Sequence, residues 1–201
     1  MGEGVDTALV FVIDASSSMD QGQLQLARES HAEAIMSPEV LDAIRSGHFR
    51  RSAFAFVEFS SQSAAVVEWM IIDSPETAAT FAWQILHNER ANLGELTGIG
   101  EGLAKALELM NALPAEPLYR VIDVVGDGKP NTGVDPAPVR ELIIAMGVTI
   151  NGMPMLDSTY EDIEEYYARE VVGGARAFSI PLDKIQHMPT LLRRKLIIEI
   201  G

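Results

Sequence analysis

Five residues, Asp14-Ala15-Ser16-Ser17-Ser18, follow an uninterrupted apolar run from Ala8 to Ile13 and carry one carboxylate and three hydroxyls. In extended chain, residues two apart point the same way, so Asp14, Ser16 and Ser18 can present three oxygens to one spot. Two more oxygen donors stand at comparable places: Thr97 at the start of a helical pattern from Gly98 to Ala112, and Asp127 directly after the strand-like segment Val121 to Gly126. The five residues make an all-oxygen set of two carboxylates and three hydroxyls. Such a set suits a hard divalent cation, Mg²⁺ or Mn²⁺ ahead of Ca²⁺, and disfavours zinc. Two carboxylates about 4 Å apart would repel by up to ~4 kcal/mol at an effective dielectric near 20, so a cation between them would also add stability by linkage.

Each part has a plainer reading. A D-x-S-x-S run is commonly a turn and helix cap, and Asp14 would serve as cap for a helix beginning near Gln21. Asp127-Gly128 before Lys129-Pro130-Asn131 reads equally as turn chemistry, and Thr97 as an N-cap. What favours a site is their joint placement at strand ends, which depends on the elements that carry them.

Ala8 to Ile13 reads as a strand covered on both faces. A helical period runs from Gln21 to Ile35, and Ser37-Pro38-Glu39 opens a second, short helix. Ala53 to Phe59 and Ala64 to Ile72 are strand-like with only Ser60-Ser61-Gln62-Ser63 between them, too short for a parallel crossover, so they pair as an antiparallel hairpin. Ser74-Pro75-Glu76 opens a helix to about His87, and a polar loop leads to the helix from Gly98. Val121 to Val125 reads as a second apolar strand; Asp135-Pro136 opens the next helix and Gly147 ends it; Val148 to Ile150 begins another strand. Ser158-x-x-Glu161 predicts a capping box for a helix ending at Gly173-Gly174, Ala177 to Ile180 a short strand, and Ile185 to Ile200 a closing helix. This alternation predicts a three-layer α/β fold, a doubly wound, Rossmann-like, mostly parallel sheet with one antiparallel edge strand, and residues 1–201 read as a single domain. Ligands in such sheets bind outside the carboxyl ends of strands where the winding reverses, which is where all three oxygen-bearing segments fall.

Composition narrows the partners. Lys and Arg number 15 against 29 Asp and Glu, a net charge of −14 that repels phosphate backbones and anionic lipid, so neither nucleic acid nor membrane insertion is expected. With no Cys, thiolate metal sites, Cys nucleophiles and disulfides are excluded. Met1-Gly2-Glu3-Gly4 leads almost directly into the first strand without a signal peptide, as in a chain whose export signal has been trimmed.

Other polar residues read as structural. Glu58 lies inside an apolar strand and is expected to pair with an Arg such as Arg51 or, less simply, to approach the site. Glu68 lies in the edge strand. Glu89, Arg90, Asn92 and Glu95 form a solvated loop before Thr97. His31, His48, His87 and His187 are scattered, the methionines read as core filler, and Arg193-Arg194-Lys195 reads as a solvated helix face. Gly126-Asp127-Gly128-Lys129 is not a phosphate loop, because Asp123 and Pro130 stand where that motif needs Gly and a hydroxyl.

Asp14-x-Ser16-x-Ser18, a Thr opening a later helix, and a strand followed by Asp127-Gly128 resemble the metal-ion-dependent adhesion site of von Willebrand factor type A (integrin I-like) domains. The resemblance covers nearly the whole chain, and Val57-Glu58-Phe59, Thr97-Gly98-Ile99-Gly100-Glu101 and Leu192-Arg193-Arg194-Lys195-Leu196 are similar to a bacterial branch consisting of little more than this domain. It implies that Ser16 and Ser18 bind the metal directly, that Thr97 does so directly or through water, and that Asp14 and Asp127 act mainly through bound waters. It implies, further, a non-enzymatic protein-binding module whose cation accepts an acidic side chain from a partner, and action outside the cytoplasm, secreted or periplasmic. Two alternatives compete. One is a Mg²⁺-dependent phosphohydrolase resembling the haloacid dehalogenase superfamily, although Ser16 stands where that family needs an acidic proton donor. The other is a scaffold that uses the site only for stability.

Overall fold

The computed structural model describes residues 4–89 and 91–201, so Met1, Gly2, Glu3 and Arg90 lie outside the described residues. The apolar runs lie in a five-stranded sheet of order β3-β2-β1-β4-β5. β1 (Gly4–Asp14) pairs in parallel with β2 (Ser52–Phe59) and with β4 (Glu116–Gly126). β5 (Thr149–Pro154) continues the parallel set beyond β4, and β3 (Ser63–Ile72) is the antiparallel edge beside β2, as the short hairpin loop requires. One face is covered by α1 (Gln21–Met36), α2 (Pro38–Ser46), α3 (Pro75–His87) and α7 (Met188–Ile200). The other carries α4 (Ile99–Ala112), α5 (Pro136–Ala145), the single turn α6 (Ile163–Tyr166) and a π-helical turn, Tyr167–Val171. From β1 the chain winds one way through β2 and β3 and the other way through β4 and β5. The reversal puts a crevice at the carboxyl ends of β1 and β4.

Capping frees the candidate residues for other roles. Asp20 accepts from Gln23 N at 2.8 Å while Gln23 Oε1 accepts from Asp20 N at 3.0 Å, so Asp20, not Asp14, caps α1. Gly98 occupies the cap position of α4 without a side-chain cap, so Thr97 is not the cap either.

Several expectations need correction. The Ser158 hydroxyl does not close a capping box; it donates to the Asp127 carbonyl and accepts from Tyr160 N, and regular helix starts only at Ile163. Ala177 to Ile180 is not a strand: its neighbourhood touches β5 through isolated bridges, Gly152 with Ser179 and Met155 with Leu182. Arg176 at φ 59° and Pro181, which has no N–H, interrupt any longer ladder. Val121 to Val125 is not wholly apolar, since it contains buried Asp123, and Arg193-Arg194-Lys195 is not a uniformly solvated face, since Lys195 is fully buried.

These two buried charges meet. Lys195 Nζ lies 2.5 Å from Asp123 Oδ1, close as an ion pair but poorly angled for a hydrogen bond, and donates to Glu199 Oε1 at 2.5 Å. Asn151 Nδ2 also donates to Glu199 Oε1, at 2.8 Å. Burial pushes the Glu199 carboxyl up to about 7, with the Asp123 charge adding to it. On the same face Arg28 of α1 forks onto Glu58, Nε to Oε1 at 2.6 Å and Nη2 to Oε2 at 3.0 Å, so Glu58 pairs with Arg28 rather than with Arg51. The two ion-paired groups tie α1 and α7 to the sheet beneath the crevice. Between them His31 packs edge-on against Phe11 and Phe56, both at 5.3 Å, and its Nδ1 donates to the Ala27 carbonyl at 2.7 Å.

Removing one partner of a buried charged group strands the others. Lys195→Met is expected to cost about 3–5 kcal/mol at pH 7 in urea unfolding, because Asp123 loses its cation. His31 gives a pH test. Burial lowers its pKa from 6.5 to about 4, so between those values the unfolded chain binds more protons and stability falls as the pH drops. Relative to His31→Leu, the native chain should lose about 3 kcal/mol between pH 7 and pH 4, read from paired urea titrations.

Candidate metal centre

The ends of the two central strands fix the site. β1 delivers Asp14 in register with Phe59 of β2, and Ala15 N donates to the Phe59 carbonyl at 2.7 Å, so the chain leaves the sheet in a set direction. It then turns back on itself: Asp14 Oδ1 accepts from Ser16 N at 2.8 Å. That turn brings Ser16 Oγ to 3.0 Å from Ser18 Oγ, and Ser18 donates to Asp127 Oδ1 at 2.7 Å across from β4. Thr97 arrives on a loop clamped at both ends of its peptide unit, with Thr97 N donating to Asn131 Oδ1 at 2.8 Å and Asn131 N to the Thr97 carbonyl at 2.9 Å. Its hydroxyl makes no hydrogen bond among the described residues, and a Cβ placed on Gly128 would sit 3.0 Å from it, so the bare glycine lets α4 bring Thr97 over the end of β4.

Four of the five expected residues therefore line one place, and the fifth, Asp14, is hydrogen-bonded to one of them. Ser16, Ser18, Thr97 and Asp127 border a cavity of about 130 Å³, rimmed by Glu95, Leu96, Asn131 and Tyr160, while Asp14 is not part of its lining and joins the cluster through Ser16 N. Ser18 is exposed at the mouth, whereas Asp14 and Ser16 are buried. Of the loop before Thr97, Glu95 reaches the rim, and Arg90 is outside the described residues. Glu58 stays with Arg28, away from the cluster. Among the described residues no group of three or more His, Cys, Asp or Glu converges.

The electrostatics of this place favour a cation. Burial pushes the Asp14 carboxyl up to about 7, against the Ser16 hydrogen bonds that hold it down, and Asp127 adds repulsion. Asp127 is likewise raised by burial, helped by the Asp157 charge and opposed by the Ser18 hydrogen bond. Asp14 Oδ2 is buried without any hydrogen-bond partner. An orphaned carboxylate oxygen, a second strained carboxylate and hydroxyl oxygens as the other donors fit a hard divalent ion.

The family model described as "Protein of unknown function (DUF1194)" matches residues 4–201. The chain belongs to this family. No curated protein matches its sequence. Among solved structures, a von Willebrand factor type A protein from Catenulispora acidiphila superposes with a TM-score of 0.72 at 14% identity, covering 98% of this chain and 43% of the other. Proximal thread matrix protein 1 from the mussel byssus, with a zinc-occupied MIDAS motif, gives 0.71 at 20% identity over 99% and 48%. The pilus adhesin SpaC from Lactobacillus rhamnosus GG gives 0.72 at 13% over 98% and 30%. This DUF1194 chain thus has the von Willebrand factor type A fold and spans less than half the length of each of these three proteins.

Two residues around this cluster carry little signal in sequence. Asn131 looks like an ordinary turn residue, and only the fold shows it clamping Thr97. Tyr167 lies in a short irregular helix, 40 positions after Asp127, yet its side chain runs beneath Asp14. Since Asp127 is held above its ordinary range by burial, its neutral isostere should be better tolerated without metal. Asp127→Asn is expected to raise the melting temperature in chelator at pH 7.5 by about 2 °C, measured by calorimetry.

Proposed function

We propose that the cluster of Asp14, Ser16, Ser18, Thr97 and Asp127 holds a divalent cation and that the chain is a protein-binding module reading a partner's acidic side chain. The observation that carries the reading is the partnerless, buried Asp14 Oδ2 in the same oxygen cluster as Asp127. Bound there, a dication would supply a Lewis-acidic position for a carboxylate from outside. The chain's own residues set the terms. Ser16, Ser18 and Thr97 offer neutral oxygens, and Asp14 and Asp127 would act mainly through bound waters, so the ion's charge would be left poorly quenched and open to a partner's carboxylate. The cavity of about 130 Å³ admits one small acidic group rather than a large substrate. Such a charge-assisted contact would reject a neutral side chain. The zinc in the mussel protein's motif and the adhesin among the structural neighbours support the reading, and zinc belongs beside Mg²⁺, Mn²⁺ and Ca²⁺ among the ions to be tried.

The phosphohydrolase alternative needs Asp14 as a nucleophile. That family also needs an acidic proton donor two residues after the nucleophile, and Ser16, which stands there, cannot serve as one. Turnover of a generic phosphomonoester that vanishes in Asp14→Asn would nevertheless revive that alternative.

Two outcomes test the module. Mg²⁺ or Mn²⁺ should raise the melting temperature of the native chain by several degrees, and Asp127→Ala should abolish the rise. In pull-downs from a native extract, proteins captured by the native chain should be lost with chelator and with the double variant Ser16→Ala/Ser18→Ala; capture of the same proteins in every case would remove the metal-mediated contact.

A further inference from the structure

Tyr167 is fully buried and its hydroxyl has no hydrogen-bond partner. A buried hydroxyl left unpaired is costly, and phenylalanine would fill the same space without that cost. The side chain threads a slot between two bare glycines: a Cβ on Gly152 would lie 3.1 Å from Tyr167 Cδ1, and one on Gly126 only 2.6 Å from the Tyr167 hydroxyl. That same position beside Gly126 lies 3.0 Å from Asp14 Oδ2, the other orphaned buried oxygen of the cluster. One glycine at the floor of the site is therefore flanked by two polar atoms without partners. Burial raises the phenol well above its ordinary range, so it stays protonated and is a donor, while the carboxylate oxygen is an acceptor. The backbone aims the phenol there. The π-helical turn begins at Tyr167 and is closed by Val172 N donating to the Tyr167 carbonyl at 2.8 Å, a local departure from α geometry of the kind found at functional sites.

We propose that Tyr167 is a positioning residue of the metal centre: its hydroxyl donates, across one buried water, to Asp14 Oδ2 and fixes that carboxylate in the orientation the cation uses. The proposal rests on the metal-binding reading above. It gives the phenol hydroxyl a partner and accounts for the tyrosine where phenylalanine would pack as well and for the glycine at 126, while Asp14 Oδ2, which accepts more than one bond, stays available to the cation. A bridging water suits a polar pocket whose two protein groups are close but not in direct contact.

The test compares native chain, Tyr167→Phe and, as control, Tyr166→Phe. Mn²⁺ affinity is read from the electron paramagnetic resonance signal of free Mn²⁺, and the melting temperature is taken in chelator. Tyr167→Phe should bind Mn²⁺ about tenfold more weakly, the scale of lost outer-shell support at metal sites, while unfolding in chelator as cooperatively as the native chain. Tyr166→Phe should bind as the native chain does. In the native chain the tyrosine ultraviolet resonance Raman doublet should shift on Mn²⁺ binding, and this shift should be missing from Tyr167→Phe. Equal Mn²⁺ affinity of Tyr167→Phe and native chain would overturn the proposal and leave the metal centre standing. Absence of Mn²⁺ binding by the native chain would overturn the metal reading and this proposal together.

Discussion

Two carboxylates are brought to the carboxyl ends of neighbouring central strands, one of them completely buried, and that unresolved charge organises everything above the sheet. Asp14 has one oxygen held by Ser16 N and the other held by nothing. Asp127 is held by Ser18 and stands close enough to raise the Asp14 carboxyl further. A protein interior tolerates such a pair only with protons or a cation, and the ring of hydroxyls around it is suited to the cation. The turn of residues 14–18, the clamp of Asn131 on Thr97 and the glycine at 128 all serve to gather neutral oxygens at that one point.

The opposite face of the sheet solves a different problem with the same tools. Arg28 forks onto Glu58 with two hydrogen bonds, and Lys195 sets its cation against Asp123 and Glu199, although both Asp123 oxygens and Glu199 Oε2 lack hydrogen-bond partners; the two groups bind α1 and α7 to β2, β4 and β5. Buried ion-paired groups of this kind add less to net stability than to uniqueness of packing, because desolvation offsets most of their attraction. Each of these groups contains a cation of the chain, whereas no Lys or Arg pairs with Asp14 or Asp127 among the described residues. The difference lies in whether the charge finds its counter-charge within the chain.

Much of this was legible from residue order. Apolar runs and short connections specify the parallel centre and the antiparallel edge, and oxygen-bearing residues at strand ends specify the cluster, because both depend on local patterns of period two or on single cap and turn residues. What was not legible depended on long-range packing. Lys195 sits in a run of three basic residues that looks solvated, and only the position of Asp123 on the strand beneath α7 shows otherwise. Asp123 is a single polar residue within the apolar pattern of β4, so residue order does not reveal its buried partner. Ser158 has the spacing of a helix cap but is drawn instead to the Asp127 carbonyl, and the π-helical turn that points Tyr167 at Asp14 has no signature in residue order. The partner of Glu58 was expected to be an arginine, yet which arginine depended on how α1 lies across β2.

The central claim is that one cation unites these five side chains. The most direct measurement is a crystal structure grown with Mn²⁺ and recorded at the manganese absorption edge. The account predicts a single strong anomalous peak within coordinating distance of Ser16 and Ser18, with Asp14, Thr97 and Asp127 around it. No peak at saturating Mn²⁺, or a peak elsewhere with the cluster empty, would contradict it.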